Sequence, residues 1–261
     1  MSDAGIELLQ QGFVATLWLN RPEVHNAFDE HLIASVTRAL HRLDADAGVR
    51  VVVLAGRGKS FCAGGDLAWM RRMAGYSQAE NLKDAAALAE MYRALAQLSK
   101  PTVARVHGAA LGGGTGLVAA CDMALATPAA SFGTTEVRMG LMPATISPYV
   151  IAAIGVRAAQ RYFLSGERID SETALRLGLV NEVCAGETLD VRLGELTGAL
   201  LAGAPAAQAA CKRLIADISG QPVNAQLIAD TSARIADIRA GSEAREGVQA
   251  FFEKRKPAWN S

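Results

Sequence analysis

An α/β fold is predicted from three features of this sequence. Two short uninterrupted apolar runs, Val49 to Leu54 and Pro101 to Val106, suit strands buried on both faces of a sheet. A helical pattern separates them, which is the strand, helix, strand alternation of α/β proteins. Beyond residue 147 nearly every segment reads as helix. Taken in order, Ile6 to Leu9 and Phe13 to Leu19 are rich in β-formers and flank Gln11-Gly12, so the chain is expected to open with a hairpin. Phe28, Leu32, Val36, Leu40 and Leu43 recur at helical spacing behind Asp29, a helix-starting residue. The strand at Val49 to Leu54 ends in Gly56-Arg57-Gly58, and residues 66–98 read as helix with a turn near Gly75-Tyr76-Ser77.

Pro101 to Val106 then leads into the run GGGTG, and Met123 to Ala126 forms a further strand before Thr127-Pro128. Ser147-Pro148 places proline at a first helical position, where its missing N–H costs nothing, and Gly155 is the expected stop of that helix. Gly178 ends a helix from about Ser171, ahead of a short strand over Leu179 to Val183. Three helical segments follow, around 189–202, 205–219 and 223–256.

The chain has 261 residues, enough for one large core with a buried pocket and a helical tail. Lysine plus arginine equals aspartate plus glutamate at 26 each, so no global field favours nucleic acid or an anionic membrane. A small-molecule partner is expected. Cys62, Cys121, Cys184 and Cys211 lie far apart, consistent with reduced thiols that pack as small hydrophobes. The segment MSDAGIELLQQG lacks the pattern of a cleaved leader, and no later stretch reaches membrane-spanning length without charge or turn residues. These features read as a cytoplasmic protein.

Several chemistries lack their motifs. The glycine run does not fit G-x-G-x-x-G, because position 117 is Leu, and neither a phosphate loop nor a G-x-S-x-G elbow occurs. His25, His31, His41 and His107 form no H-E-x-x-H pair. Two glycine sites remain, FCAGGDL at 61–67 and LGGGTG at 111–116, each after a short strand and before a helical pattern. Small residues leave backbone N–H groups uncovered, and a helix start adds partial positive charge, so two such sites converging on one oxygen make an oxyanion hole. The plainer alternative is a tight turn or a close packing point at each. A third stretch, SFGTTEVRMGL at 131–141, sets Glu136 among small and apolar residues, where desolvation would raise its pKa toward a value useful for proton transfer. An exposed glutamate, or one paired with Arg138, is the alternative.

These stretches together resemble the enoyl-CoA hydratase/isomerase (crotonase) family: RPEVHNAF at 21–28, FCAGGDL, VHGAALGGGTG at 106–116, CDMALAT at 121–127, SFGTTEVRMGLMP at 131–143 and FFEKRKPAW at 251–259 follow that family's landmarks in order. The resemblance implies a spiral of β-β-α units over residues 1–200, a C-terminal helical trimerisation region over 201–261, and assembly as a homotrimer or homohexamer. It implies an acyl-CoA thioester as ligand, with coenzyme A entering only as part of the substrate and no separate cofactor or metal. By position, the N–H groups of Gly65 and Gly113 become the oxyanion hole, with Gly64, Asp66, Leu67 and Gly112 around them. Glu23, Val24, Ala27 and Ala63 line the adenine and pantetheine channel, and Lys254 reaches a CoA phosphate.

Glu136 matches the second of the family's two catalytic glutamates. Gly116 stands where the first would be, which is expected to open space beside Glu136 and leaves Thr115, Ser147, Tyr149 or a water to help hold the attacking water. The missing glutamate also raises a double-bond isomerase, or an inactive acyl-CoA binder, as alternatives to a hydratase. The segment GLMPATISPYV at 140–150 resembles hydratases of branched, carboxylated enoyl-CoAs of the methylglutaconyl-CoA type. A substrate carboxylate would want a cation, for which Arg71, Arg72 and Arg138 are the candidates.

Overall fold

The computed structural model describes Ser2, Asp3 and residues 5–260; Met1, Ala4 and Ser261, at the ends of the regions read above, lie outside them. After β1 (Ser2–Asp3), the expected hairpin is β2 (Ile6–Gln11) and β3 (Val14–Leu19), antiparallel with Gln11 opposite Val14. The chain then steps through parallel strands β4 (Val51–Gly56), β5 (Thr102–Val106), β7 (Met123–Ala126) and β10 (Glu182–Val183), completing a seven-stranded sheet. A second sheet of three strands, β6 (Ala109–Leu111), β8 (Ser131–Gly133) and β9 (Ile169–Asp170), runs beside it.

The two sheets share one repeating step. After β4 the chain makes a bridge at Cys62 to Ala110, then enters α2 (Leu67–Met73) and α3 (Gln78–Ala96). After β5 it forms β6 and then α4 (Gly113–Ala120). After β7 it forms β8, a short 3-10 turn at Glu136–Met139 and then α5 (Ser147–Ser165). Even the first turn follows this rule, since Phe28 bridges Gly65 in parallel before α1 (Glu30–Ala45). Each β-β-α unit is displaced by one strand in both sheets, and the result is a spiral.

Burial explains the apolar runs. Every residue of β4 is buried, because the sheet is covered on both faces. Val52, Leu54, Ala104 and Val106 join the main core with Leu32, Val36 and Leu40 of α1 and Met91, Tyr92 and Leu95 of α3. Val51, Val103 and Leu125 point the other way, onto α7 (Leu189–Ala202). Asp29 caps α1 by accepting from the Leu32 N–H at 2.8 Å, and Ser77 with Glu80 forms a capping box on α3.

Four expectations are corrected. Gly155 does break α5, at φ 73° and ψ 160°, but the helix resumes and ends at Gly166. The strand expected over Leu179 to Val183 is only Glu182–Val183. The segment 223–256 is two helices, α9 (Ala225–Ala240) and α10 (Ser242–Phe252), divided at Gly241. The second sheet is not expected from the sequence at all, because strands of two or three residues are shorter than one detectable apolar period. The remaining helices are α6 (Ser171–Leu177) and α8 (Pro205–Ile218).

Candidate active site

The site forms where successive turns of the spiral lie side by side. His25 and Asn26 adopt left-handed backbone conformations, φ 53° and 56°. The fully buried Asn26 amide then donates to the carbonyls of Arg57, Ser60 and Phe61 at 2.9 to 3.1 Å, while its oxygen accepts from the Arg21 N–H at 2.8 Å. Ala63 N–H donates to His25 O (3.0 Å), Phe28 N–H to Gly64 O (2.7 Å) and Asp66 N–H to Phe28 O (2.8 Å). Further along, Cys62 N–H donates to Ala109 O, Leu111 N–H to Cys62 O, and Gly112 N–H to Gly133 O. Residues 25–28, 62–66, 109–114 and 131–136 thereby become neighbours.

This close stitching requires the glycines. A side chain on Gly114 would begin 2.4 Å from the Cys62 carbonyl oxygen, and one on Gly113 would begin 2.4 Å from the Phe28 ring and 2.7 Å from the Tyr92 hydroxyl. Gly112, at φ 50°, adopts a backbone that side chains disfavour. The packing alternative raised by the sequence therefore holds for 113 and 114. It coexists with a second property: among the described residues the N–H groups of Gly65 and Gly113 donate no hydrogen bond, and the first bond of α4 runs from Gly116 N–H to Gly112 O at 3.2 Å.

Glu136 opens the 3-10 turn beyond β8 and is half-buried. Its Oε1 lies 3.2 Å from where a side chain on Gly112 would begin, so the carboxyl rests against the glycine run. Its Oε2 is buried with no hydrogen-bond partner among the described residues. Burial raises the pKa of this carboxyl, opposed by a backbone hydrogen bond. Arg138 does not pair with it; its guanidinium lies against Gly166, exposed. A buried acceptor without a partner is costly, and here it belongs to a carboxyl whose other oxygen rests beside Gly112.

A family model for enoyl-CoA hydratase/isomerase matches residues 10–261. This chain belongs to that family. It is similar to a putative enoyl-CoA hydratase of Thermus thermophilus, 36% identical over 250 residues, covering 95% of this chain and 98% of the relative. It is 32% identical over 251 residues to the 2,3-dehydroadipyl-CoA hydratase of Escherichia coli, covering 95% of each. A crystal structure of an enoyl-CoA hydratase from Shewanella pealeana superposes with a TM-score of 0.95 at 40% identity, covering 98% of this chain and 96% of that one. The fold is the crotonase spiral, and the protein is an enzyme of the enoyl-CoA hydratase/isomerase family.

Within that family the departure at Gly116 has a structural counterpart, and it corrects the expectation of open space beside Glu136. A side chain at 116 would begin 2.2 Å from Ile146 Cγ2 and 3.1 Å from the Tyr92 ring, so both already fill that volume. Of the groups expected to help hold water, Thr115 is fully buried and its hydroxyl bonds the carbonyls of Ala110 (2.7 Å) and Gly133 (3.1 Å). Ser147 donates to Ala144 O at 2.8 Å. Tyr149 has its pKa raised by burial and feels the charges of Arg93 and Glu90 on α3. Thr115 and Ser147 are therefore structural groups of the turn and the helix start.

Arg72 is likewise removed from the list of free cations, since it forks onto Glu30 at 2.7 to 2.8 Å, whereas Arg71 is exposed. Glu23 and Val24 form a 3-10 turn next to buried Ala27, and Ala63 is half-buried beside them. Asp66 caps α2 and is also within 3.4 Å of Arg21, which gives it a structural task, and Leu67 is 80% exposed. Lys254 is exposed past the end of α10, at φ 55°, and among the described residues its side chain makes no hydrogen bond to these turns. Among the described residues no group of three or more His, Cys, Asp or Glu is placed to hold a metal. The sequence reading missed Tyr92 and Ile146, because a tyrosine and an isoleucine at apolar helical or pre-helical positions carry no signal beyond core.

Gly116→Ala tests the plugged volume. The methyl group meets Ile146 at a steric cost of about 1–3 kcal/mol, offset by about 1 kcal/mol of helix preference. Urea unfolding should show a net loss of stability that shrinks in an Ile146→Ala background; equal losses in both backgrounds would show that the volume is not shared.

Proposed function

We propose that the enzyme adds water reversibly to an α,β-unsaturated acyl-CoA, with Glu136 as its single acid–base group. The observation that carries this reading is the Glu136 carboxyl against Gly112, its buried Oε2 without a partner, on the glycine run whose neighbouring residues Gly65 and Gly113 keep uncommitted N–H groups. In this mechanism the thioester oxygen accepts from both N–H groups. Glu136 takes a proton from water as the hydroxide oxygen bonds C3, the negative charge develops on the thioester oxygen, and the same proton is returned to C2. Each backbone donor aimed at that oxygen contributes about 3 kcal/mol to lowering the barrier. Burial raises the pKa of Glu136, the direction needed by a carboxyl that both accepts and returns a proton.

A second reading, enoyl-CoA double-bond isomerase, is favoured by Ile146 standing in place of a second carboxylate. One glutamate suffices to move a proton between C4 and C2. For the hydratase, a branched, carboxylated substrate such as methylglutaconyl-CoA is supported by the GLMPATISPYV segment, and the name of the Escherichia coli relative carries a dicarboxylic acyl chain. Arg138 or Arg71 would then meet the distal carboxylate.

The helical region 201–261 supports assembly as a homotrimer or homohexamer, because it leaves Val223, Ile228, Phe251 and Phe252 exposed, the two phenylalanines at 79% and 78%. Lys254 then lies at the edge of a neighbouring subunit's CoA channel. No helix among the described residues is long and apolar enough to cross a membrane, and all four cysteines are free, which supports a reducing, cytoplasmic setting.

Glu136→Gln should lower kcat at least about 100-fold with little change in KM. In the wild type, kcat/KM should fall on the acidic side with an apparent pKa above the ordinary glutamate value. A variant that keeps most of its rate removes Glu136 from the chemistry.

Branched, carboxylated 2-enoyl-CoA and 3-enoyl-CoA offered in ¹⁸O-labelled water distinguish the two reactions. Labelled 3-hydroxyacyl product is expected. Conversion of the 3-enoyl to the 2-enoyl thioester without label establishes the isomerase instead, and binding without turnover of either would indicate an inactive acyl-CoA binder.

Sedimentation equilibrium should give three or six chains, and Lys254→Ala should raise KM for CoA esters but not for pantetheine thioesters. A monomer at micromolar concentration, or equal effects on both esters, contradicts this assignment.

A further inference from the structure

The oxyanion donor at Gly113 sits in the most freely rotating stretch of the chain, three consecutive glycines, so its direction must be imposed from outside. The peptide that carries it joins Gly112 to Gly113, and three hydrogen bonds bracket that peptide. Gly112 N–H donates to Gly133 O at 2.7 Å, Gly112 O accepts from Gly116 N–H at 3.2 Å, and Gly113 O accepts from the Tyr92 hydroxyl at 2.9 Å. The first two are backbone bonds, available to any sequence with this path. The third is the only side-chain tie among them, and it comes from a different helix, α3.

We infer that Tyr92 is a positioning residue, whose hydroxyl, anchored on the Gly113 carbonyl, holds the Gly112–Gly113 peptide so that the Gly113 N–H stays aimed at the thioester oxygen. This inference rests on the oxyanion role proposed above for Gly113.

The tyrosine is suited to that task and to no proton transfer. It is fully buried, and a buried phenol must place its O–H on an acceptor. Burial, and then the nearby Cys62, Glu136 and Tyr149 groups, push its pKa well above that of an ordinary phenol, so it is a neutral donor throughout the working range. Its ring also packs against the site of Gly116 at 3.1 Å and stands 6.0 Å from the Tyr149 ring. Phenylalanine would preserve those ring contacts and remove only the hydrogen bond. No side-chain substitution at Gly113 tests its donor cleanly, because even a methyl group there collides with Phe28 and Tyr92.

Tyr92→Phe is therefore the test, with a cinnamoyl-type CoA thioester as probe, since its absorption moves to longer wavelength when its carbonyl is polarised. The expected result is a kcat lowered about tenfold with KM within about twofold, together with a smaller red shift of the bound probe than in the wild type. Unchanged kcat and an unchanged red shift would overturn the inference, as would a change confined to KM. If the wild type itself gives no red shift on binding the probe, the oxyanion reading of Gly113 fails and Tyr92 loses its role with it. A shift present in the wild type and intact in Tyr92→Phe refutes Tyr92 alone.

Discussion

The carbonyl of Cys62 lies 2.4 Å from where a side chain on Gly114 would begin, and the rest of the site depends on that approach. The bridge from Cys62 to Ala110 draws the second turn of the spiral against the third, and only a residue without Cβ lets the start of α4 come so near. The same approach brings Gly64 to within 3.0 Å, measured from its missing side chain, of the Leu111 carbonyl. Two loops more than forty residues apart in sequence are thereby held as one surface. Their uncommitted N–H groups at Gly65 and Gly113 share that surface because the spiral repeats with a displacement of one strand.

Against this surface the fold holds a carboxyl in a place it would not choose by itself. Glu136 is partly desolvated and has one oxygen without a partner, so its proton is bound more tightly in the folded than in the unfolded chain. For a carboxyl with a raised native pKa, the folded state binds the extra proton between the ordinary glutamate value and the raised one. Stability linked to this group therefore falls as pH rises through that window, and the loss is complete above it. The surrounding core, with Phe132, Ile146 and Tyr92 all buried, holds the carboxyl there against that cost. Strain of this kind is what makes the group responsive to a ligand that could supply its missing hydrogen bond.

The volume beside Glu136 is occupied by hydrocarbon where the resemblance places a second carboxylate. Ile146 and the edge of Tyr92 fill the space over Gly116, which leaves Glu136 as the carboxyl that rests on the glycine run. Without a second carboxylate beside it, the pKa of Glu136 is raised by desolvation, the direction needed by a group that both takes and returns a proton.

The strands with continuous apolar runs, the helix that starts at Asp29, the turn near Gly75-Tyr76-Ser77, the lack of nucleotide-binding motifs and the family are all legible in the sequence, because each rests on residues adjacent in the chain. The sequence also singles out Glu136 and the two glycine turns, since small residues after short strands have few other uses. That Gly116 leaves no opening, that Thr115 and Ser147 are occupied by backbone carbonyls, and that Arg72 belongs to Glu30 follow from contacts made only in the folded chain, which no local pattern records. The three-residue strands β6 and β8 leave no signal in the sequence for a related reason, as their pairing partners lie about twenty residues away and supply what local periodicity cannot. Tyr92 is the clearest case. In sequence it is one apolar position on an amphipathic helix, and its meaning resides in a hydroxyl whose acceptor, Gly113 O, is twenty-one residues distant and reached only when the spiral closes.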